Sequence, residues 1–274
     1  MDTITILYFI SYFILYSFAG WVLESTAKTI DQRKFVNSGF LKGPFCPIYG
    51  FGTLIMLLCL GFLKQNVILL FISSFFILSI WEYIVGFLLE KIFKTKYWDY
   101  SHLKFNIHGR VCLKNSLIWG ILAVLFIYFL HPFIESYIVL VPTNILLYIN
   151  IIILIAITVD LIVSIIEVFN FESAIKRINE LGDSIKEKTE ELKELNTKLK
   201  LKTEEFEKNS TQNIEKIIKD LKMTQTKLKL KIYKKIDRLK RAFPSMKSDN
   251  ITKFLNQKID LKELKKSIKK KNKE

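Results

Sequence analysis

The sequence is poor in residues that do covalent or redox chemistry, with three cysteines, three histidines and five prolines among 274 residues. Cys46, Cys59 and Cys112 form neither an even disulfide framework nor a metal-ligand spacing. Reduced thiols are expected, and no metal or cofactor. A nucleophilic pair of Cys46 or Cys112 with His108 is set aside, because neither thiol has an activating neighbourhood in the sequence. No catalytic residue is therefore assigned. No G-x-x-x-x-G-K-S/T loop occurs, which excludes ATP hydrolysis by this chain. The first apolar run lacks a basic leading region and a small-residue cleavage site, and it continues at full spanning length. It reads as a span, not a signal peptide.

Glycine is also scarce, which makes its clustering informative. Gly39, Gly43, Pro44 and Pro47, followed by Gly50 and Gly52, fall in the single stretch Asn37 to Gly52. Glycine lets a backbone turn tightly or approach another closely. Pro47 suits the first position of a helix, where its missing N–H is harmless. The run it opens, to Leu63, is short against a hydrocarbon core of about 30 Å. The stretch reads either as a segment dipping into the membrane edge and delivering a helix N-terminus there, or as an ordinary tight interhelical loop.

What the chain has in abundance is apolar residues and, late in the sequence, positive charge. Half the residues are apolar and the net charge is +15. Up to Asn170 there are 11 basic and 9 acidic residues; from Phe171 onward there are 30 and 17, a net of +13. The pattern predicts an all-α integral membrane domain, 1–170, followed by a basic helical cytoplasmic tail, 171–274. Five spans are read: Ile4–Ala27, Pro47–Leu63, Val67–Glu90, Ser116–Tyr137 and Asn144–Phe169. The first and third connections carry ten basic residues between them, against Lys64 alone in the second and none in the fourth. The excess predicts a multi-pass protein of the cell membrane with its N-terminus outside and its C-terminus in the cytoplasm.

An ungapped self-match appears at an offset of 66 residues. Gly20, Leu23, Glu24, Lys28 and Thr29 align with Gly86, Leu89, Glu90, Lys94 and Thr95, and Gly43 and Cys46 with Gly109 and Cys112. Two helix–loop–helix repeats plus a fifth span are expected. In the tail, Ile178, Ile185, Leu192, Leu199 and Phe206 repeat every seven residues, until the polar cluster Lys208–Asn213 breaks the phase. A second stripe runs from Ile214 through Ile218, Leu221, Leu228, Ile232 and Ile236 to Leu239 and stops before Pro244. A coiled-coil rod and a two-helix hairpin fit equally. A last basic segment, Asp249 to Lys273, has a thin stripe through Ile251, Leu255, Ile259 and Ile268. The tail lacks an aromatic stacking platform and a groove-reading motif, which argues against nucleic acid and for anionic lipid.

Ionisable residues inside spans are costly and usually face protein. Glu82 lies deep in span three, sharing a face with Ser79, Gly86 and Glu90; Asp160, Ser164 and Glu167 share one in span five. Glu24 and Glu90 sit at C-terminal helix ends, where the dipole disfavours negative charge. They need a cation, and Lys42 and Arg110 lie at the facing helix starts, Arg110 being better suited to a carboxylate. The candidate pocket residues are Glu24, Lys42, Gly43, Tyr49, Glu82, Glu90, Asp99, Asn106 and Arg110. They form either one acid-lined, anion-tolerant pocket or salt bridges that close the bundle.

Several ordered motifs resemble the bacterial CmpB-type family of ABC-transporter type IV permeases. They are Gly20-Trp21-x-x-Glu24, the run Asn37-x-Gly39-Phe40-Leu41-x-Gly43-Pro44-x-x-Pro47-Ile48-Tyr49-Gly50-x-Gly52, Glu82-Tyr83, Trp98-Asp99-Tyr100-Ser101, Asn106-x-x-Gly109-Arg110-Val111-Cys112-Leu113 and Trp119-Gly120. The resemblance covers Phe9 to Pro132, or as far as span five, and excludes the tail. Ser38 stands where arginine would be expected, which removes one possible anion contact. The resemblance implies a multispanning permease-like component in the lipid bilayer, with a separate ATPase subunit or another cytoplasmic protein as partner and oligomerisation open. A membrane enzyme acting on a lipid or headgroup, and a membrane-anchored scaffold worked by its tail, stand as alternatives.

Overall fold

The computed structural model describes residues 2–199, 205–248 and 251–252. These form two compact units, one of Met1–Ile166 with Arg238–Ser248, the other built on Glu167–Asp237.

The first unit is a bundle of apolar helices. Helix α1 (Thr3–Gln32) starts at Asp2, whose carboxylate accepts the Thr5 amide at 3.2 Å, and ends where Arg33 turns left-handed (φ 48°). Helix α2 (Pro47–Leu60) has Cys46 as N-cap and continues as a 3₁₀ segment, Gly61–Gln65. The α part spans about 21 Å and the tighter turns add about 10 Å, which makes good the shortness of the run opened by Pro47. Helix α3 (Val67–Phe93) is capped by Asn66, which accepts the Leu69 amide at 3.0 Å. Helix α4 (Leu113–Leu125) passes through a π-turn, Phe126–Leu130, into α5 (His131–Ile138). Pro132 has no N–H to return to the preceding turn, and the interrupted i→i−4 ladder is wound as the π-turn just before it. Helix α6 (Thr143–Leu199) supplies the fifth span.

All five predicted spans are present as helices long and apolar enough to cross a membrane. Helices α1 with α2 and α3 with α4 form the two expected hairpins. Their second helices begin 66 residues apart, each directly after a buried cysteine, Cys46 or Cys112. The third connection also holds a two-stranded hairpin the sequence reading did not foresee: β1 (Asn106–Ile107) antiparallel to β2 (Val111–Cys112). Its turn needs two positive φ values, supplied by His108 (53°) and Gly109 (70°).

Tyr12, Tyr16, Leu60, Leu70, Phe126 and Ile127 form the core at the end of the bundle away from these connections. There the Tyr16 hydroxyl meets His131 Nδ1 at 3.2 Å. Asn150 fastens α6 to α1, donating to Ser11 Oγ (2.8 Å) and to the Leu7 carbonyl (3.1 Å). Most remaining large apolar side chains face outward, as a lipid-solvated bundle requires.

In the second unit, α6 pairs antiparallel with α7 (Glu205–Ala242). Gln225 donates to the Ile178 carbonyl at 3.0 Å, and Lys235 pairs with Glu167 at 2.7 Å. Of the two tail geometries left open, this is the hairpin. Ile178, Ile214, Ile218, Ile232 and Ile236 are buried along it. Lys208–Asn213 lies within α7, so the change of hydrophobic phase there does not break the helix. Most of the basic segment beyond Asp249, including Leu255, Ile259 and Ile268, lies outside the described residues.

Candidate functional site

The predicted residues gather where the first and third connections meet α1, α3 and α4. In the first connection the chain must turn back within fourteen residues, and Gly39 does so at φ 93°, with the Cys46 sulfur 2.6 Å from where a Cβ would stand. Three groups hold the returning strand. Asn37 accepts the Trp21 indole N–H (2.6 Å) and donates to the Lys42 carbonyl (2.6 Å). Cys46 N–H donates to the Ser17 carbonyl at 2.9 Å. Asp160, on the fifth span, receives the backbone amides of Lys42 (3.2 Å) and Gly43 (2.7 Å). Two amide donors satisfy the carboxylate in its costly position, so Asp160 clamps the loop. The role of Gly43 follows: a Cβ there would lie 3.0 Å from Asp160 Oδ2.

Glu24 does not reach Arg110. It accepts the Ser38 hydroxyl at 2.9 Å and pairs with Lys28, one turn along the same helix, at 3.5 Å. Lys28 also donates to Ser38 Oγ at 2.8 Å. Ser38 is fully buried and completes a Glu24–Ser38–Lys28 triangle, so the cation here comes from α1 itself. Cys46 lies at its edge. Burial, and then the Glu24 charge, push its thiol up to about 12 against the opposing pull of Lys28, so it stays protonated. This argues further against a nucleophilic cysteine.

Arg110 takes Glu90 instead. Its Nε and Nη2 both donate to Glu90 Oε2, at 3.1 and 2.8 Å, and Nη1 donates to the Tyr83 hydroxyl at 3.3 Å. The guanidinium also lies over the Tyr83 and Phe87 rings, 5.2 and 5.4 Å from their centroids. Gly86 leaves room for Trp98, whose indole donates to the Arg110 carbonyl at 2.8 Å. The repeat therefore places equivalent carboxylates at equivalent helix ends but solves each differently.

Between the hairpins lies Glu82, buried in α3. Its two donors are neutral: the Tyr100 hydroxyl at 3.2 Å and the Trp119 indole at 3.1 Å. Tyr49 packs edge-on to Trp119 (6.0 Å) and lies beside Glu24. Burial, and then Glu82, keep the Tyr100 phenol above its ordinary range and protonated. Glu24, Tyr49, Tyr100 and Glu82 are thus brought together, with Trp119 as a fifth member. No local pattern in the sequence assigns Tyr100 or Trp119 to Glu82, since they lie 18 and 37 residues away along the chain.

Asn106 and Asp99 organise the third connection. Asn106 accepts the Gly109 amide (3.0 Å) and donates to the Leu103 carbonyl (2.7 Å), closing the β1–β2 turn. Asp99 is buried, accepts both the amide and hydroxyl of Ser101, and pairs with Lys247. Burial alone would raise its carboxyl, but Lys247 and Ser101 outweigh it and lower it to about 2. Among the described residues no cluster of His, Cys, Asp or Glu could hold a metal ion.

No curated protein and no solved structure matches the chain. The model of the family described as "Putative ABC-transporter type IV" matches residues 11–165, more than half the chain, and the protein belongs to that family.

Proposed function

We propose that the protein is the membrane-embedded, permease-like component of a transport system, and that the Glu24–Tyr49–Tyr100–Glu82 group lines its ligand pocket. Glu82 carries this reading. A carboxylate held in the hydrocarbon layer by two neutral donors is a natural seat for a proton or a cationic group, because no protein cation neutralises it through either donor. Glu90–Arg110 and Asp160 are better read as closures of the bundle, since their charges are already matched by Arg110 and by two backbone amides. With no phosphate-binding loop in the sequence, nucleotide-driven transport would need a separate ATPase subunit. Residues 1–170 form the membrane domain and 171–274 the cytoplasmic region. The apolar stripe of α7 is already covered by α6, so attraction of α7 itself to anionic lipid rests on charge.

Glu82→Gln keeps the shape and one acceptor oxygen, which can still face the Trp119 indole while the amide NH2 donates to the Tyr100 hydroxyl, and it removes the titratable charge. Metabolite and lipid profiles of a deletion strain should be restored by the wild-type chain and not by Glu82→Gln at equal membrane abundance. Full restoration by Glu82→Gln would remove the pocket reading and favour a scaffold.

The ten-to-one distribution of basic residues supports a topology with the first and third connections and the C-terminus in the cytoplasm. A cysteine introduced at position 2 should react with an impermeant maleimide in intact cells, and one at position 274 only after lysis. Labelling of position 274 in intact cells would reverse the topology.

A further inference from the structure

We propose that Arg238–Ser248 is a strap, an internal ligand seated on the first and third connections, which form a docking surface for a helix end followed by an aromatic and a basic residue. The proposal rests on reading those connections as the side that meets a cytoplasmic partner, since the strap covers the surface such a partner would use.

The segment is bound at both connections by specific chemistry. The closing carbonyls of α7 are the negative end of its dipole, and α1 supplies their donors: Gln32 to Arg241 O at 3.0 Å and Lys28 to Ala242 O. Arg238 donates to the Leu41 carbonyl at 3.1 Å. Phe243 stacks edge-on against the buried Tyr97 (5.0 Å) and lies under the Lys28 ammonium (5.3 Å). Pro244 ends the helix. Ser245 Oγ then accepts the Asp99 amide at 3.2 Å, Lys247 pairs with Asp99, and Lys96 and Lys247 exchange two backbone hydrogen bonds of 2.9 Å each.

Two features make this an exchangeable ligand and not merely a packed loop end. The side chain of Lys247 is 69% exposed while Asp99 beneath it is 3% exposed, so the outer partner of the pair meets solvent and the carboxylate opens to a competing cation when Lys247 swings away. The strap also shares Lys28 with the Glu24–Ser38 triangle. Withdrawal of the strap would leave that ammonium to Glu24 and Ser38 alone, and this links occupancy of the docking surface to charge balance at the pocket.

The test uses the full chain in membranes with the exposed Cys59 changed to serine. Residues that exchange both backbone hydrogen bonds across an antiparallel pair have Cα atoms about 5.5 Å apart, within disulfide range. Lys96→Cys with Lys247→Cys should therefore cross-link within one chain on mild oxidation, at least about tenfold more slowly when Phe243→Asp is added. In hydrogen exchange, Phe243→Asp should speed the Lys96 and Asp99 amides at least about tenfold and leave Tyr100, bonded to Gly109 O, unchanged. A labelled peptide of residues 238–248 should bind the Phe243→Asp chain saturably and the wild type at least about tenfold more weakly. Absent or purely intermolecular cross-links, an equal rise at Tyr100, or a peptide that binds neither chain or both alike would overturn the proposal. A fully active Glu82→Gln chain would sink the pocket reading without altering any of these three results.

Discussion

Gly50→Val is expected to yield almost no monodisperse protein. Gly50 lies in the first turn of α2 against α1, where a Cβ would stand 2.6 Å from the Phe13 carbonyl oxygen, a backbone atom, and would also meet the buried Ser17 hydroxyl. That part of α1 has little freedom to retreat, because the Ser17 carbonyl receives the Cys46 amide at 2.9 Å. Overpacking in a well-packed interior costs roughly 1–3 kcal/mol and occasionally more, and here the obstacle is main chain. Small residues let membrane helices approach this closely. Gly52 provides the control: a Cβ there would meet only Trp81, at 3.7 Å, an ordinary contact. Size-exclusion profiles of fluorescent fusions should show Gly52→Ala at wild-type yield, Gly50→Ala reduced and Gly50→Val lost. Equal profiles for Gly50→Val and Gly52→Ala would mean the α1–α2 crossing is looser than described.

Arg110→Ala is expected to be the most damaging of the charge deletions. It leaves Glu90 without its cation and removes a guanidinium that also covers two aromatic rings. Breaking a fully buried pair costs roughly 3–5 kcal/mol. The side chains here are 14% and 30% exposed, so solvent recovers part of that and about 2–3 kcal/mol is expected. The partner choice can be measured separately. A double-mutant cycle of Glu90→Gln with Arg110→Gln in detergent unfolding should show coupling on the order of 1–3 kcal/mol. The corresponding Glu24 cycle should be additive, because Glu24 is held by Ser38 and Lys28. Coupling of Arg110 to Glu24 and not to Glu90 would contradict the geometry.

The Asp99–Lys247 pair adds a pH window. The Asp99 carboxyl is lowered from 3.8 to about 2, so its contribution is complete above its unfolded value and is lost as pH falls toward 2. The strap should therefore stay seated across the neutral range, and its release should come from competition and not from mild acid.

The sequence by itself determined the five spans, the two hairpins and the start of α2 at Pro47. These depend on quantities that add up along a short stretch: twenty or so apolar residues against the thickness of a bilayer, and a proline or cap at a helix start. It also marked which side chains carry charge inside the membrane domain, since an ionisable group there is costly wherever it points. Only the tertiary structure decided what each charge is matched with. Glu24 found Lys28 one turn away and a serine fourteen residues on; Glu90 took Arg110; Asp160 took two backbone amides 117 and 118 residues distant. The π-turn before Pro132, the β-turn at Gly109 and the seating of Arg238–Ser248 were decided at the same level. Hydrogen bonds reach about 3 Å, so partner choice follows from where helices cross and loops return, and those positions arise only when distant segments pack together.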